Sequence, residues 1–404
     1  MFDALTCIRD YNAGRDPERL VLKYRNMRAS PFVFLRGTCH LFYDRLPNER
    51  IFRHAPAAWV CGDLHLENFG SYKGDNRLAY FDLNDFDEAA LAPCTWDPVR
   101  LLTSILVAAA SLKVNRAEAL ALGQVFLEGY ANGLAQGKAR WIERDTAEGL
   151  VRELLDSLRN RPRSAFLDSR STLKTPKGRK RVLRVDGRKA LPASAKQRAK
   201  VEAFMAAFAK TQPNPEFYKV IDVARRIAGT GSLGVDRYAI LVAGKGSPDG
   251  NYILDLKEAL PSSLVPHLHL KQPRWKSEAE RVVAVQRRSQ AVSMAFLQPV
   301  TMGKKAYILR GLLPSEDRVA LDGGNGRKLR RLESVLRTMG ELAAWDQLRS
   351  SGRDGSASAD ELIDFGHDPR WRPTLLSLAE GCAEQVKDDW KAYATAYDDG
   401  FYTL

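Results

Sequence analysis

Three segments of the chain hold side chains at spacings that suit phosphate chemistry. The first, CGDLHLENF at residues 61–69, places Asn68 five residues after Asp63 and follows a short apolar run. In a phosphotransferase catalytic loop, an aspartate reaches the acceptor hydroxyl and an asparagine amide oxygen reaches a Mg²⁺ ion that bridges the phosphates. We therefore interpret this segment as a catalytic loop. The structural alternative is a loop-capping aspartate followed by a turn asparagine.

The second segment, FDLNDFDE at residues 81–88, packs the carboxylates of Asp82, Asp85, Asp87 and Glu88 closely together. Carboxylates at this spacing repel one another unless a cation neutralises them. Mg²⁺ is a suitable cation because it needs only one or two carboxylates besides phosphate and water. Apolar residues between the acids argue against a fully exposed stretch, so we expect metal binding here; the alternative is a solvated acidic turn.

The third segment is GTGSLG, in which Ser232 lies between the glycines Gly229, Gly231 and Gly234. A dinucleotide-binding fold would begin a helix at such a segment, but a predicted strand follows it here. This order is typical of a glycine-rich loop between two strands, whose backbone N–H groups cover phosphates.

Lys257 lies near the end of the third predicted strand, 23 residues after the glycine-rich segment. We expect its side chain to point under the loop and to pair with the phosphates of a nucleotide. A carboxylate from the following helix would hold such a lysine, and Glu280 is the predicted partner, although the capping pattern SEAE at residues 277–280 also uses it. The alternative is a glycine-rich hairpin with a surface lysine.

Four segments are predicted to position these residues. Residues 1–150 form a helical lobe with the catalytic loop and the metal segment, and residues 151–214 form a basic insertion, either an exposed hairpin or a partly disordered segment, that ends in a helix. Residues 215–315 form a β-rich nucleotide-binding lobe, and residues 316–404 add helices that complete the helical lobe.

Hydrophobic periodicity predicts the elements within these segments. The predicted strands are 57–61, 77–82, 220–227, 237–243, 251–259 and 306–312. The predicted helices are 96–113, 116–134, 146–160, 193–210 and 277 to about 296, with further helices in 15–47 and from 328 onward.

The positive charge of the chain is concentrated in one segment. The 404 residues carry a formal net charge of +13, and residues 159–200 alone hold 15 Lys or Arg against two acids. An anionic partner of this segment, such as a nucleic acid or an acidic surface, is one prediction, and a solvated, flexible insertion is the other.

Composition limits the broad class of protein. The longest apolar stretch is shorter than the roughly 18–20 residues that a membrane span needs. The first residues carry charges where a signal peptide would be apolar, and the five cysteines are scattered without metal-ligand spacing. We expect a cytoplasmic protein with free thiols and no transmembrane segment.

In combination, these segments resemble a bacterial family known as domain of unknown function 2252. The resemblance is carried by FLRGT (34–38), CGDLHLENFG, FDLNDFDEA with WDPVRL, and IAGTGSLG with LDLKEA, and it extends from about residue 20 to the C-terminus. CGDLHLENF, NDFDEA and WDPVRL are also similar to the aminoglycoside phosphotransferase and choline kinase branch of the kinase-like fold. The resemblance implies an α+β, protein-kinase-like fold with a small antiparallel β lobe and a larger helical lobe.

The resemblance also implies roles for individual residues. It makes Asp63 the catalytic base and Asn68 and Asp85 the Mg²⁺ ligands, with Asp82 and Asp87 as alternates for the second ligand position. It assigns the triphosphate of ATP to Gly229, Gly231, Gly234 and Lys257, and makes Asp97 a structural cap of the next helix.

Two features depart from the kinase pattern. Cys61 replaces the usual histidine of His-Gly-Asp, so the bracing that this histidine supplies is missing or moved. The catalytic loop also precedes the glycine-rich loop by about 165 residues, whereas ordinary kinases have the reverse order. A circular permutation accounts for this order. Residues 340–345 (GELAAW) resemble the segment that normally leads into the catalytic loop.

The sequence supports several hypotheses about function. The first is an ATP- and Mg²⁺-dependent phosphotransferase that acts on a small-molecule or protein hydroxyl, with nucleotidyl transfer as a variant. The second is a nucleic-acid or anionic-surface binding protein built on a degenerate kinase-like scaffold. A third is a pseudokinase that binds nucleotide as a structural switch.

Overall fold

The computed structural model describes residues 3–174, 180–313, 317–321 and 328–403. With 49% helix and 16% strand, it confirms the predicted α+β class. The helices are α1 (Ala4–Tyr11), α2 (Pro17–Arg28), α3 (Pro31–Gly37), α4 (Cys39–Arg45), α5 (Arg50–His54), α6 (Trp96–Val107), α7 (Ala109–Leu112), α8 (Arg116–Ala135), α9 (Gly149–Arg159), α10 (Arg163–Asp168), α11 (Ala195–Lys210), α12 (Glu278–Ser289), α13 (Lys328–Ser350), α14 (Ala359–His367) and α15 (Trp371–Asp398). The strands are β1 (Ala57–Val60), β2 (Phe69–Lys73), β3 (Ala79–Leu83), β4 (Ala90–Pro93), β5 (Ser171–Leu173), β6 (Arg181–Leu183), β7 (Ala190–Pro192), β8 (Val220–Arg226), β9 (Arg237–Val242), β10 (Tyr252–Glu258), β11 (Gln298–Met302) and β12 (Lys305–Gly311).

A six-stranded antiparallel sheet forms the β-rich lobe, in the order β11-β12-β10-β9-β8-β7. The four strands predicted for this lobe correspond to β8, β9, β10 and β12. The helix predicted to run to about residue 296 was too long, because α12 ends at Ser289 and β11 follows. At Gln290 the backbone is extended, and its side-chain amide donates to the Leu83 carbonyl oxygen at 2.7 Å.

Two different layers cover the faces of this sheet. Helix α11 packs on one face through the buried Val201 and Met205, and the other face meets the β5–β6 hairpin through Leu183. Strand β7 and helix α11 therefore belong to the β-rich lobe, although they lie inside the predicted insertion 151–214. Part of the predicted insertion, residues 175–179, lies outside the described residues.

Several arginines of the basic segment make internal ion pairs. Arg181 is almost fully buried and pairs with Asp168 at 2.5 Å and Asp249 at 2.7 Å. Arg161 makes two hydrogen bonds of 2.7 Å to Asp317. Part of the excess positive charge thus stabilises the fold.

The helical lobe is centred on the contact between α8 and α13. Glycines let the two backbones approach closely: a Cβ on Gly129 would lie 2.5 Å from the Arg337 carbonyl oxygen, and one on Gly340 would lie 2.3 Å from that of Phe126. Helix α15 packs on α6, α2 and α3, and so joins the first and last segments of the chain. Within the described residues, no helix combines the length and apolar character required to cross a membrane.

Two short strand pairs bring together residues 61–69 and 81–88, here called the first and second acidic segments. Strand β1 pairs with β4 and leads into the loop that holds Asp63. Strand β2 pairs with β3, with Phe69 opposite Leu83. This register places Asn68, just before β2, beside the residues that follow β3.

The substitution Gly340→Ala should destabilise the protein, because the new methyl group would clash with the backbone of α8. We expect the free energy of unfolding to fall by at least about 2 kcal/mol in chemical denaturation. Gly381, inside α15, is the matched control, since a Cβ there meets nothing within 4 Å. Gly381→Ala should stabilise the protein by about 0.5–1 kcal/mol. Equal effects of the two substitutions would contradict the proposed close approach of α8 and α13.

Candidate functional site

A cleft lies between the six-stranded sheet and the two acidic segments. Its space, including open solvent at the mouth, is roughly 1290 Å³. Eight of the predicted site residues line it: Asp63, Asn68, Asp85, Asp87, Gly229, Gly231, Ser232 and Lys257. Segments about 170 residues apart in the sequence therefore meet at one site.

The loop that holds Asp63 is braced by Asp97, in the first turn of α6. One carboxylate oxygen of Asp97 accepts a hydrogen bond from the Cys61 main-chain N–H at 2.8 Å, and the other accepts one from that of Gly62 at 2.9 Å. Asp97, predicted to cap the helix, therefore also braces the loop that holds Asp63, at the point where Cys61 replaces histidine. Burial raises the pKa of Asp97 to about 6.

Asp63 is oriented by Arg100, one helical turn after Asp97 on α6. The fully buried Arg100 donates two hydrogen bonds to Oδ1 of Asp63, one of them at 2.8 Å from Nε, and a third to the Leu35 carbonyl oxygen at 2.9 Å. Among the described residues, all hydrogen bonds to the Asp63 carboxylate go to Oδ1. The other oxygen, Oδ2, is left for a ligand in the cleft.

Asn68 links the loop that holds Asp63 to the second acidic segment. Its Nδ2 donates to the main-chain oxygens of Asp63 at 3.2 Å and Asp85 at 3.1 Å, and its Oδ1 accepts from the Asp85 N–H at 2.9 Å. The amide therefore positions both loops. Its role as a Mg²⁺ ligand stays a prediction.

Lys257 pairs with the second acidic segment. The lysine is 2% exposed, its Nζ donates to Asp87 Oδ2, and it lies 3.8 Å from Asp85 Oδ1. Desolvation raises the pKa of Asp85, but the charges of Lys257 and Arg310 outweigh it and lower that pKa overall. Burial and the neighbouring charge of Asp85 raise the pKa of Asp87. The two carboxylates thus have different affinities for a proton.

Three residues considered at the sequence level do not line the cleft. Glu280 does not meet Lys257, because its carboxylate accepts a hydrogen bond from the Lys276 N–H at 2.7 Å at the start of α12. Asp82 is buried beside Arg349, 3.5 Å away. Gly234 accepts a main-chain hydrogen bond from Asp16 at 2.9 Å at the base of the glycine-rich loop.

The glycine-rich loop between β8 and β9 bends over the loop that holds Asp63. Gly229 and Gly234 have φ angles of +69° and +87°, which a residue with a side chain rarely adopts. A Cβ on Gly231 would lie 3.0 Å from the Arg36 carbonyl oxygen and 4.0 Å from Asp63 Oδ2. The hydroxyl of Ser232 donates to the Ala228 carbonyl oxygen at 3.2 Å, within the same loop.

Cations of the N-terminal segment hold this loop down, which sequence reasoning did not predict. The buried Lys23 donates to the Gly231 carbonyl oxygen at 2.9 Å, and Arg15 donates to the same oxygen at 2.8 Å. Burial, with a further contribution from the Arg15 charge, lowers the pKa of Lys23 well below its usual value. No residue spacing in the sequence indicates this contact.

A buried group of charges in the β-rich lobe was also missed. Arg226, Arg237 and Arg310, here called the arginine triad, converge on Asp255. Although desolvation raises the pKa of this carboxyl, the charges of Arg226 and Arg237 hold it well below its usual range. A sequence signal existed, since Asp255 and Lys257 share one face of β10 and Arg310 lies opposite Asp255 in the strand register.

The described residues contain no group of three or more His, Cys, Asp or Glu side chains that could hold a metal ion. A Mg²⁺ ion at Asp85 and Asp87 would therefore take most of its ligands from phosphate and water, as Mg²⁺ commonly does.

Comparison with protein families matches residues 15–396 to the family described as "Uncharacterized protein conserved in bacteria (DUF2252)". No curated protein and no solved structure matches the chain.

The raised pKa of Asp97 predicts a pH-dependent stability. A native pKa of about 6, above the ordinary 3.8, stabilises the folded state when this carboxyl is protonated. The contribution is fully present below pH 3.8 and is lost as the pH rises through about 6. Relative to Asp97→Asn, the wild type should lose about 3 kcal/mol of unfolding free energy across this range. Chemical denaturation of both proteins at a series of pH values tests this, and a difference that does not vary with pH would contradict it.

Proposed function

The chain belongs to the DUF2252 family of bacterial proteins, and we propose that it is an ATP- and Mg²⁺-dependent phosphotransferase with a hydroxyl group as acceptor. The observation that supports this proposal most strongly is the position of Lys257. Its ammonium faces Asp85 and Asp87 in the cleft that also holds Asp63 and the glycine-rich loop. A cation, a pair of metal-binding carboxylates and a glycine-rich cover are what phosphoryl transfer requires.

Asp63 is the proposed catalytic residue. Arg100 fixes Oδ1, and Oδ2 faces the cleft as a hydrogen-bond acceptor for the substrate hydroxyl. Phosphoryl transfer proceeds through a loose transition state, so orienting the hydroxyl contributes more than a strong base would. The fixed carboxylate of Asp63 suits this orienting role.

Asp85 and Asp87 would hold Mg²⁺. Their oxygens are hard ligands, and about half of the Asp85 side chain is exposed to the cleft, which leaves room for water and phosphate oxygens. When bound, the ion neutralises charge on the phosphates. Asn68 keeps the Asp85 main chain in place through hydrogen bonds of 2.9 and 3.1 Å.

We further propose that the fold is kinase-like and circularly permuted. The loop after α13 lies beside β1, where the Ala357 N–H donates to the Ala57 carbonyl oxygen at 2.7 Å. A chain passing from α13 to β1 at this point would run directly into the catalytic loop, which is the order in ordinary kinases. The Tyr402 hydroxyl also donates to the Leu5 carbonyl oxygen at 3.1 Å, so α1 lies against the residues after α15, where a permuted order would connect them.

Nucleic-acid binding by residues 159–200 stays a prediction. Arg181, Arg161 and Arg198 of this segment are engaged by carboxylates of the same chain. These pairs reduce the charge that remains for an anionic partner, so phosphotransfer is the function that the geometry supports better.

Asp63→Asn should lower ATP consumption at least about a hundredfold. The amide keeps the shape of the side chain, but with its oxygen bound to Arg100 it places an N–H donor where Oδ2 would accept the hydroxyl proton. ATP binding should be preserved. Release of ADP would identify phosphoryl transfer, and release of pyrophosphate would identify nucleotidyl transfer. Asp145→Asn, at an exposed carboxylate outside the cleft, is the control and should leave turnover unchanged. Retained turnover in Asp63→Asn would remove Asp63 from the catalytic role.

Millimolar ATP with Mg²⁺ should raise the melting temperature more than ATP with EDTA, and no shift with ATP and Mg²⁺ would contradict the proposed nucleotide site. Asp85→Asn and Asp87→Asn should raise the Mg²⁺ concentration at half-maximal shift at least about tenfold, because each substitution removes an anionic oxygen ligand. Asp82→Asn is the matched control, since Asp82 belongs to the same acidic segment but pairs with Arg349 outside the cleft. An equal effect of all three substitutions would argue against metal binding at Asp85 and Asp87.

A further inference from the structure

The arginine triad lies beside Leu313 and Ala228, whose carbonyl oxygens accept hydrogen bonds from Arg226 at 2.6 Å and from Arg237 at 3.2 Å. All three arginines line the cleft, and each is less than a tenth exposed. The carboxylate that they share, Asp255, is fully buried. The triad is therefore shielded from bulk water but open to a ligand in the cleft.

The charges of this group do not balance. Among the residues that the structure describes, Asp255 is the only carboxylate within ion-pair distance of the triad. Three guanidinium groups against this one carboxylate leave a local excess of positive charge. The charge of Arg310 also acts on Asp85 and Asp87, but both of these carboxylates face Lys257. Because like charges repel strongly where water is excluded, an incoming anion would relieve this repulsion.

Two of the three guanidinium groups also keep donors for a further ligand. Only Arg237 makes two short hydrogen bonds to Asp255, at 2.8 and 2.6 Å. Arg226 Nη1 lies 2.6 Å from Asp255 Oδ2, and its Nη2 donates to the Leu313 carbonyl oxygen at 2.6 Å, so each of these nitrogens keeps a second N–H for a ligand. Arg310 reaches Asp255 and the Asn84 carbonyl oxygen only at 3.4 Å, beyond the usual range for N–H···O bonds.

This chemistry suits phosphate better than a nucleobase. Ligand pockets that hold flat organic groups are mostly apolar, whereas guanidinium groups bind phosphate oxygens in pairs. In the kinase pattern V-A-I-K, an alanine stands two residues before the strand lysine. Here Asp255 stands two residues before Lys257, and it anchors the triad.

We propose that the arginine triad binds the pyrophosphate unit of a nucleoside triphosphate without a metal ion, and that the base lies elsewhere in the cleft. Arg226 and Arg310 supply donors to the phosphate oxygens, and Asp255 keeps the guanidinium groups in place. The identity of the ligand as a nucleotide rests on the proposed phosphotransferase function. The anion site itself does not depend on turnover or on Mg²⁺.

Calorimetry and thermal melting of the full chain in EDTA, with inorganic pyrophosphate as the probe, test the proposal. Pyrophosphate should bind and raise the melting temperature, and adenosine alone should do neither. Arg226→Gln and Arg310→Gln should each weaken pyrophosphate binding at least about tenfold, because each removes a charged donor. Without ligand, both variants should melt at or above the wild-type temperature, since each relieves repulsion.

Arg198→Gln is the matched control, because it removes a guanidinium group paired with Asp222 in the same lobe but outside the cleft. It should leave the pyrophosphate affinity unchanged. Absence of pyrophosphate binding in EDTA, or an unchanged affinity in both triad variants, would overturn the proposal. A triad that only supports the fold would give variants with lower melting temperatures and wild-type affinity. Because the assay contains no Mg²⁺ and needs no turnover, its failure leaves the Asp63→Asn and Mg²⁺ experiments unaffected.

Discussion

The buried ammonium group of Lys257 needs negative charge close by, and this requirement joins the two halves of the cleft. An isolated buried charge costs several kcal/mol, so a fold that buries a lysine must bring a carboxylate to it. Asp87 and Asp85 meet this need from the loop after β3, about 170 residues earlier in the chain. The contact links the β-rich lobe to the loop that holds Asp63, because Asn68 bonds the main chains of both Asp63 and Asp85. The arrangement of the site therefore depends on one ion pair and one amide.

Local pattern predicted the elements around the site well. Short apolar runs bounded by turn residues form the strands on either side of the glycine-rich loop and the strands that precede Asp63 and Asp85. Such runs are easily recognised in a sequence. Glu280 shows where local reasoning reached its limit. The same carboxylate had two candidate partners, and the main-chain N–H of Lys276, four residues away, is nearer than the side chain of Lys257. A nearby partner requires less chain ordering, so the local contact formed.

The contacts that sequence reasoning missed are mostly non-local. Lys23 donates to Gly231, 208 residues further along the chain, and nothing in the spacing around either residue indicates the other. The link between Arg100 and Asp63 is different, because Asp97 and Arg100 stand three apart on α6 and so share a face of the helix. Since the resemblance already identified Asp97 as a structural residue, Arg100, one turn later, could have been predicted to contact the same loop. Part of the arginine triad could have been identified in a similar way, because Asp255 and Lys257 alternate along β10 and Arg310 of β12 lies opposite Asp255.

The charges of the cleft imply that the proposed anion and metal sites are coupled. Without ligands, Lys257 pairs with Asp87 and lies near Asp85, while the triad keeps a local excess of positive charge. A phosphate chain in the cleft would compete for the ammonium of Lys257 and leave the two carboxylates in need of another cation. A divalent ion would meet that need and would in turn strengthen the binding of the phosphates. By thermodynamic linkage, the factor by which the anion raises the affinity for the metal equals the factor by which the metal raises the affinity for the anion. Both groups of charges lie in one cleft, on segments far apart in the sequence, and this would give the proposed nucleotide and metal sites a physical basis for binding as a unit.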